Sequence, residues 1–387
     1  MCCMEKPEPR AKNALLAPAI VRDNAARMTK LHDHINKHTK KRGSITLAGR
    51  GSNVYIMGSA HFDVLTLRLA LEYSGTLDTT ITLGAFKALI DLYKAASGQV
   101  VLQVSDDKQL RVVGATGGTG LEASADAPLT LRDTEGLDGV QPIPWTPLKQ
   151  ALSLVEGMQS TDHTAREHLC GVLIDKEHVV ATDGFVLSAV ERKGCEDGCY
   201  VPTFLRSQTL KAIHALATLG TQELQFVFGV AGSRTIVGSD GWSVLSSLVG
   251  STRFPDWEWL CGGGFANRSK EPTVVKDIPA ADILSMLKSS TLAERKAQPV
   301  IYAFVEILVW EQGQAQFIHG TSNRLIGSSV WGKRAERVGI SRENLLRVLD
   351  GVDGTIDMRI WDKLSPLEWR NDQQGIVRIT APYLLGS

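Results

Sequence analysis

The alternation of apolar and polar positions along this chain predicts short strands joined by tight turns. The clearest stretch runs from Cys170 to Arg192, where Val172–Ile174 and His178–Ala181 are apolar runs separated by a polar turn. Thr182–Gly184 has the composition of a second tight turn, and apolar residues follow it. The stretch therefore predicts three consecutive strands.

Two other stretches have the same pattern. They run from Ser52 to Ala70 and from Ala315 to Trp331, and each contains an apolar run, a turn rich in small residues and a second apolar run. Aligning Gly58, Ala181 and Gly320 gives offsets of 181 − 58 = 123 and 320 − 181 = 139 residues. One such coincidence would carry little weight, because strand-turn-strand units are common.

A second pattern repeats at nearly the same offsets. A strand, an amphipathic helix and a hairpin are predicted from Thr80, from Tyr200 and from Val338. These starting points are separated by 200 − 80 = 120 and 338 − 200 = 138 residues. Two independent patterns in the same order favour a triplicated domain, with each copy about the size of a small domain.

Loops rich in Asp, Gly and Pro divide the chain into these copies. The sequence predicts a disordered tail over residues 1–13 and domains over residues 14–136, 137–262 and 263–387. The stretch at 254–264 is interpreted as the second linker. Each domain is rich in strands and carries two helices. The first helix of the first domain is predicted from Ala17 to about His38. This composition predicts an α+β fold with helices on one face of a sheet.

Length and composition are those of an ordinary globular protein. The 387 residues are 43% hydrophobic and 22% charged, and no apolar run reaches the roughly 18 residues that a membrane span needs. The N-terminus lacks the apolar segment of a secretory signal, and six cysteines in this length do not make a disulfide scaffold. We therefore expect a cytoplasmic protein with no membrane association.

The formal net charge is zero, which argues against a nucleic-acid binder held by bulk positive charge. The distribution is uneven, because residues 1–50 contain eleven Lys and Arg against four acids, a local net charge of 11 − 4 = +7. The sequence contains no recognisable hydrolase, zinc or nucleotide motif. Gly114–Gly120 could suggest a phosphate loop, but it lacks the Lys-Ser/Thr of that motif and a flexible turn at a sheet edge is favoured. We expect no enzymatic activity, no cofactor and no metal.

Several motifs resemble those of the bacterial sliding clamp, the beta subunit of DNA polymerase III. The most specific is HLCGVLIDKEHVVATDGFVLSAV, from His168 to Val190, which is similar to the strand and TDG turn of the family's middle domain. The linker-like RFPDW begins at Arg253, and the helical segment YVPTFLRSQTLKAI begins at Tyr200. NLLRVLDG, LSPLEWR and the final VRITAPYLL are similar to motifs of the third domain. The resemblance covers about residues 17 to 385.

The resemblance implies a divergent sliding clamp. In that family three similar domains, each a sheet with two helices, assemble as a homodimer into a ring whose pore is lined by helices. The ring is a processivity factor that encircles duplex DNA and tethers peptides of DNA polymerase and the clamp loader in a cleft. Such a ring needs topology rather than high affinity to stay on DNA, which agrees with the zero net charge.

The resemblance also implies three sets of site residues. The partner-peptide cleft is mostly apolar and uncharged: Leu169, Thr182, Gly184, Phe185, Leu187, Pro255, Trp259, Leu260, Asn344, Ala381, Pro382, Tyr383 and Leu384. The DNA-binding set is basic: Arg22, Arg27, Lys40, Lys41, Arg42, Arg166, Arg206, Lys211, Lys288 and Arg295. The dimer interface joins Leu121 and Ala123 of the first domain to Thr291 and Leu292 of the third.

Departures from the family cluster in the cleft. Phe185-Val186 replaces a His-Arg pair, Glu258-Trp259 stands where basic residues are usual, and the C-terminal motif is changed. A different function therefore stays open, that of a clamp-like interaction protein, such as a partner trap or regulator, that does not encircle DNA. Basic residues on the predicted pore helices of all three domains favour the clamp.

Overall fold

The computed structural model describes the chain in segments: residues 12–16, 18–40, 43–50, 53–60, 63–70, 72–73, 77–95, 100–104, 110–114, 117–126, 129, 143–175, 177–192, 202–217, 225–231, 234–239, 242–247, 254–261, 271–310, 314–326, 330–331, 336–362 and 364–382. The helices there are α1 (Pro18–Thr39), α2 (Leu83–Ala95), α3 (Trp145–Val155), α4 (Ser207–Ala217), α5 (Trp257–Cys261), α6 (Ala280–Ser289), α7 (Leu292–Ala297), α8 (Pro299–Tyr302) and α9 (Arg342–Leu349).

The strands of the same segments are β1 (Lys12–Leu16), β2 (Ser44–Arg50), β3 (Asn53–Ala60), β4 (Asp63–Ala70), β5 (Glu72–Tyr73), β6 (Asp78–Thr82), β7 (Val100–Val104), β8 (Leu110–Gly114), β9 (Gly117–Leu121), β10 (Ile143–Pro144), β11 (Gly171–Ile174), β12 (His178–Thr182), β13 (Val186–Glu191), β14 (Thr203–Arg206), β15 (Gln225–Ala231), β16 (Arg234–Ser239), β17 (Trp242–Ser247), β18 (Thr273–Pro279), β19 (Phe304–Trp310), β20 (Gln314–His319), β21 (Ser322–Ile326), β22 (Val330–Trp331), β23 (Glu336–Ser341), β24 (Thr355–Ile360), β25 (Leu367–Asn371) and β26 (Ile376–Thr380).

The order of elements repeats three times. Each repeat has a strand, a helix, three strands, a single strand, a second helix and three more strands. The first repeat runs from β1 to β9 and adds β5, the second runs from β10 to β17, and the third runs from β18 to β26 and adds α7, α8 and β22. The mixed α+β class and the triplication predicted from the sequence are thus confirmed.

Strand pairing repeats as well. In each repeat the three strands after the first helix form an antiparallel set with the single strand that precedes the second helix. We call this set the first half, and its strands follow one another in the orders β6-β2-β3-β4, β14-β11-β12-β13 and β23-β19-β20-β21. The three strands after the second helix pair with the opening strand of the repeat and form the second half, in the orders β1-β7-β8-β9, β10-β15-β16-β17 and β18-β24-β25-β26. The last strand of a set is the last in these orders. The three repeats are therefore alike in hydrogen bonding as well as in element order.

Two antiparallel pairings join consecutive repeats, and we call them joints. At the first joint β4 pairs with β17, and at the second joint β13 pairs with β26. In each case the last strand of a first half meets the last strand of the next repeat. The joints produce an eight-stranded and a nine-stranded sheet, while β9 and β21 end the five- and four-stranded sheets of the described residues.

Contacts divide the chain into two compact units. One comprises Met1–Trp145, Cys199–Val201 and Gln208–Leu248, and the other comprises Thr146–Gly198, Pro202–Ser207 and Val249–Ser387. This division passes through the middle of the second repeat, because each joint sheet draws strands from two repeats. The domain boundaries at 136/137 and 262/263 stay predictions.

Helical periodicity explains the core of the first repeat. Helix α2 buries Leu83, Phe86 and Ile90 on one face, which is the spacing of an amphipathic helix. Helix α1 contacts α2 and buries Ile35, beside which a Cβ on Gly58 would lie only 2.9 Å from the Ile35 side chain. Glycine at this position of β3 allows the helix to approach the sheet closely.

Three expectations differ from the structure in detail. Lys12 and Asn13, placed by the sequence in the tail, begin β1, whose backbone pairs with β7. The stretch interpreted as the second linker contains α5, which buries Trp257 and Cys261. The Gly-rich segment expected to be a turn contributes Gly117–Leu121 to β9 as a sheet edge. Hydrogen bonding and apolar burial, which composition alone does not reveal, account for all three.

Candidate functional site

The turn between β12 and β13 presents an exposed aromatic ring. Asp183 Oδ1 accepts hydrogen bonds from the N–H groups of Phe185 and Val186, each at 2.8 Å. Thr182 Oγ1 accepts from the Gly184 N–H at 3.0 Å and donates to the Val186 carbonyl at 2.7 Å. Gly184 has a φ of +90°, which disfavours any side chain there. This closed network leaves the Phe185 side chain 52% exposed.

Two arginines hold this turn from outside. Arg166 donates to the Asp183 carbonyl at 2.5 Å, and its guanidinium carbon lies 4.8 Å from the centre of the Phe185 ring. Arg347 in α9 donates from Nη1 to Asp183 Oδ2 at 2.6 Å. Its Nη2 donates to the carbonyls of Gly157 and Met158, each at 3.1 Å. The turn is thus connected to the end of α3 and to the third repeat.

Asp183 remains charged in this setting. Burial alone would raise the pKa of its carboxyl group, but hydrogen bonds from the Val186 N–H, the Arg347 guanidinium and the Phe185 N–H outweigh burial and lower that pKa. An ordinary aspartate becomes protonated near pH 4, and Asp183 therefore stays ionised to lower pH than that. Hydrogen bonding of the turn is accordingly maintained throughout the neutral range.

An apolar floor lies beneath the second joint. Leu187 of β13 and Ile379 of β26 belong to one buried cluster with Trp257 and Cys261 of α5. Asp256 Oδ1 accepts the N–H of Trp259 at 3.0 Å and so caps the first turn of this helix. Residues two positions apart lie on nearly opposite sides of a helix, so Trp257 of α5 packs in the cluster while Trp259 is 48% exposed.

The chain continues past β26 beside the Phe185 turn. The Ala381 N–H donates to the Phe185 carbonyl at 2.9 Å, which extends the β13–β26 pairing by one further bond. Ala381 and Pro382 are partly exposed. Phe185 in the β12–β13 turn and Pro382 just after β26 thus lie at the same end of the joint, and α5 contacts β26.

A buried arginine fixes the centre of the second joint. Arg378 of β26 is fully buried and donates from Nε to Ser188 Oγ of β13 at 3.2 Å. Its Nη2 donates to the Leu154 carbonyl in the last turn of α3 at 2.8 Å. Its Nη1 donates to the Val348 carbonyl and, at 2.8 Å, to the Asp350 carbonyl at the end of α9. Carbonyls in the last turn of a helix have no donor within that helix, and Arg378 supplies donors to them.

Burial lowers the pKa of Arg378 to about 10, while the Asp350 carboxylate opposes that change. The guanidinium is therefore still charged at neutral pH. A cation is favourable at helix C-termini, and two of them converge on it here. Arg378 consequently connects two helices and two strands of different repeats.

The residues predicted to form the cleft separate into two layers. Phe185, Trp259 and Gly184 are exposed, and Pro255, Leu260, Asn344, Ala381 and Pro382 are partly exposed. Leu169, Thr182 and Leu187 are buried and support the surface rather than line it. Tyr383 and Leu384 lie outside the described residues. Assignment of this set to a peptide cleft stays a prediction.

The predicted DNA-binding residues differ in how free their charges are. Lys40, Lys211 and Lys288 are exposed. Arg206 pairs with Glu167 at 2.9 Å, and Arg295 donates to the Ser290 carbonyl at 2.8 Å. Other members carry less information: Arg27 is partly exposed on α1, Arg22 is on the same helix with an undescribed side chain, and Lys41 and Arg42 lie outside the described residues. Arg166 contacts Asp183 and Phe185, and the assignment of this set to DNA binding stays a prediction.

The predicted interface residues lie at the end of β9 and at the start of α7. Leu121 is the last residue of β9, and Ala123 forms a bridge to Ile81. Thr291 caps α7 in a capping box with Glu294, and Leu292 begins that helix. None of these placements tests the interface, which stays a prediction.

Sequence reasoning missed Asp183, Arg347 and Arg378. The Asp-Gly turn was recognised, and an Asp whose side chain accepts its neighbours' N–H groups is a known use of such turns. Arg347 and Arg378 could not have been found from local pattern, since Arg347 acts 164 positions from its carboxylate and Arg378 acts 224 positions from Leu154.

Two further features are absent from the part of the chain that the structure describes. In those residues no group of three or more His, Cys, Asp or Glu side chains could hold a metal ion. Within the same residues no helix is both long and apolar enough to cross a membrane.

Comparison with solved structures identifies the fold. A DNA polymerase III beta subunit from Thermotoga maritima superimposes with a TM-score of 0.66 at 15% identity over 97% of this chain and 100% of that chain. The DNA polymerase sliding clamp from Bacillus subtilis gives a TM-score of 0.68 at 13% identity over 97% and 100%. The DNA polymerase III subunit beta from Pseudomonas aeruginosa gives 0.67 at 14% identity over 96% and 100%.

No protein-family model matches the chain, and no curated protein matches it in sequence. The likeness therefore rests on structure, and it covers nearly the whole length of both chains. This chain has the fold of the DNA polymerase III beta sliding clamps, and the resemblance seen in its sequence motifs is confirmed at the level of the fold.

Proposed function

We propose that this chain is a DNA sliding clamp, a ring-shaped processivity factor formed by two copies. The observation that carries the proposal is the repeated joint. Two of the three first halves end in a strand that is paired with the last strand of the next repeat. The third first half ends in β21, and the first repeat ends in β9, and both strands end their sheets in the described residues.

These two strands can form a third joint of the same type, this time between two copies of the chain. Continuing the rule of the first two joints, β21 of one copy would pair antiparallel with β9 of another. The resulting sheet would have the order β23-β19-β20-β21 followed by β9-β8-β7-β1, as at the first two joints. Free strand edges invite association, and a closed head-to-tail arrangement removes them. The resemblance supports two copies, with Leu121, Ala123, Thr291 and Leu292 beside the contact.

Duplex DNA is the proposed occupant of the ring. Exposed Lys211 on α4 and Lys288 on α6, with Arg22 and Arg27 on α1, place basic residues on helices of all three repeats. The Lys40–Arg42 loop follows α1. Contacts with phosphates are independent of sequence and are suited to sliding. Zero net charge agrees with retention by topology rather than by affinity.

The cleft at the second joint is the proposed tether for peptides of DNA polymerase and the clamp loader. Exposed aromatic side chains above a buried apolar floor have the character of an anchor-receiving surface. We assign the protein no catalytic activity of its own and place it in the cytoplasm with the replication machinery.

Light scattering and DNA retention together test this proposal. Size-exclusion chromatography with light scattering should give twice the mass of one chain at micromolar concentration. Loaded protein should remain on nicked circular DNA and be lost when the DNA is linearised, because a ring can slide off a free end. A monomer, or equal loss from both DNA forms, would contradict the clamp. Equal loss from both forms with retained peptide binding would instead favour a partner trap or regulator that does not encircle DNA.

A further inference from the structure

The Phe185 turn is restrained by two arginines in addition to the hydrogen bonds within the turn. Asp183 already closes the turn through Oδ1, and its Oδ2 and its carbonyl are each used by an arginine from outside the turn. Arg347 and Asp183 are both largely screened from solvent, with 22% and 19% of their side chains exposed. An ion pair screened in this way holds its geometry better than one on an open surface.

Arg347 is itself fixed at several points. Its Nη2 bonds to the carbonyls of Gly157 and Met158, and its own carbonyl accepts from Arg378 at 3.2 Å. The residue that reaches the turn is therefore anchored to α9, to the segment after α3 and to the buried arginine of the joint. Movement of the turn would break contacts in all of these segments.

Arg166 determines which side of the ring is free. Its guanidinium lies over one face of Phe185, and a Cβ on Gly184 would lie 3.2 Å from Arg166 Nη1. The ring is nevertheless 52% exposed, so its uncovered surface faces solvent. A guanidinium on one face of an aromatic ring is attractive and leaves the other face available for stacking.

We infer that Arg347 and Arg166, acting through Asp183, are positioning residues that hold Phe185 as a fixed aromatic platform, and this inference rests on the proposed function of the cleft. The ligand class is an extended peptide with an apolar or aromatic side chain that packs on the uncovered surface of Phe185. A side chain that is ordered before binding loses less conformational entropy when the peptide arrives.

Arg347→Met tests the inference, because methionine keeps an unbranched stem but loses every donor. The probe is a fluorescein-labelled pentapeptide, Leu-Ala-Leu-Ala-Phe, whose apolar side chains lie on one side when extended. We expect its Kd, measured by fluorescence polarisation, to rise about fivefold. Arg337→Met is the matched control, because it breaks the exposed Arg337–Glu306 pair in the same compact unit, and it should leave Kd unchanged. Arg347→Lys keeps a charge for Asp183 and should recover part of the affinity.

A double-mutant cycle separates positioning from a general structural role. In a Phe185→Ala background the platform is absent, so Arg347→Met should cause no further loss of affinity. An equal loss with and without the ring would overturn the inference, because Arg347 would then act on the peptide site in some other way.

A measurement without peptide covers failure of the proposed function. With 4-fluorophenylalanine at position 185, the ¹⁹F resonance should be shifted from its value in the unfolded chain, and Arg347→Met should move it towards that value. If the pentapeptide fails to bind the unsubstituted protein, the proposed cleft fails, and the resonance alone decides whether the ring is held. An unchanged resonance in Arg347→Met would overturn the inference.

Discussion

The two joints of this chain share one backbone arrangement and differ in the residues built around it. Each is an antiparallel pairing of five residue pairs between the last strand of a first half and the last strand of the next repeat. At the second joint Ser188 pairs with Arg378, and a short helix, a buried guanidinium and the Phe185 turn are added there. The central pair of the first joint, Leu65 with Val244, is apolar, and the pairs beside it are Val64 with Leu245 and Thr66 with Ser243.

This difference separates the backbone pairing that joins the repeats from the contacts that restrain the proposed peptide-binding surface. The five-pair backbone ladder is shared by both joints, whereas the Ser188–Arg378 pair stands at the centre of the second. The polar residues at the second joint do more than pair two strands. They restrain a surface, since Arg378 donates hydrogen bonds to carbonyls at the ends of α3 and α9, and Arg347 connects α9 to the turn that carries Phe185.

The largest effect is expected from Arg378→Met at the second joint. Loss of the guanidinium leaves the buried Val348 carbonyl and the part-buried carbonyls of Leu154 and Asp350 without this donor, and each buried group left unsatisfied costs about 1–3 kcal/mol. We expect the free energy of unfolding in urea to fall by at least about 3 kcal/mol. Leu65→Met at the first joint is the control, because Leu65 is buried and a volume-conserving exchange should cost less than about 1.5 kcal/mol. Equal costs at the two joints would show that Arg378 is an ordinary core residue.

The proposed third joint should be broken by Asn323→Pro. Gly320 and Thr321 form a two-residue turn, so His319 and Ser322 are the hydrogen-bonded pair and the N–H of Asn323 points away from β20. Proline there removes an outward donor and leaves the β20–β21 ladder intact. We expect a cost of about 2 kcal/mol, or roughly a 30-fold weaker dimer, measured by sedimentation over a concentration series.

Asn323→Thr keeps the N–H and serves as the control for that substitution. It should dimerise like the unsubstituted protein. If both variants dimerise equally, β21 is not the contact, and the association seen would have to use another surface.

Removal of Tyr383–Ser387 sharpens the assignment of partner binding to the second joint. The resemblance makes Tyr383 and Leu384 cleft walls, and the truncation keeps Pro382 and the Ala381–Phe185 hydrogen bond. Loss of this apolar surface should cost about 1–3 kcal/mol of peptide binding in the polarisation assay. The dimer should persist in sedimentation. Equal peptide affinity before and after truncation would place the cleft elsewhere.

Sequence patterns predicted the repeats well because periodicity is local. The strand, helix and hairpin expected from Thr80 are β6, α2, β7 and β8, and the Cys170–Arg192 stretch forms the three strands expected of it. The joints were not predicted, because β13 meets β26 across a large part of the chain and local alternation does not select a distant partner. The polar restraints of the Phe185 turn were missed for the same reason, since Arg347 and Asp183 are 164 positions apart.

The smallest effect is expected in DNA binding, from the basic loop after α1, which belongs to neither joint. Lys40 has a φ of 50°, a conformation that asparagine tolerates, so Lys40→Asn combined with Lys41→Gln and Arg42→Gln neutralises the loop without backbone strain. Each lost phosphate contact should reduce the slope of log K against log salt by about 0.9, or by about 2–3 for all three.

Arg166 is left unchanged because it contacts Phe185. Lys276→Gln, an exposed lysine in β18, should not alter the slope. Pentapeptide affinity should be equal in all three proteins, because the charges that hold the second joint are untouched; an unaltered slope in the triple variant would remove this loop from the DNA-binding surface.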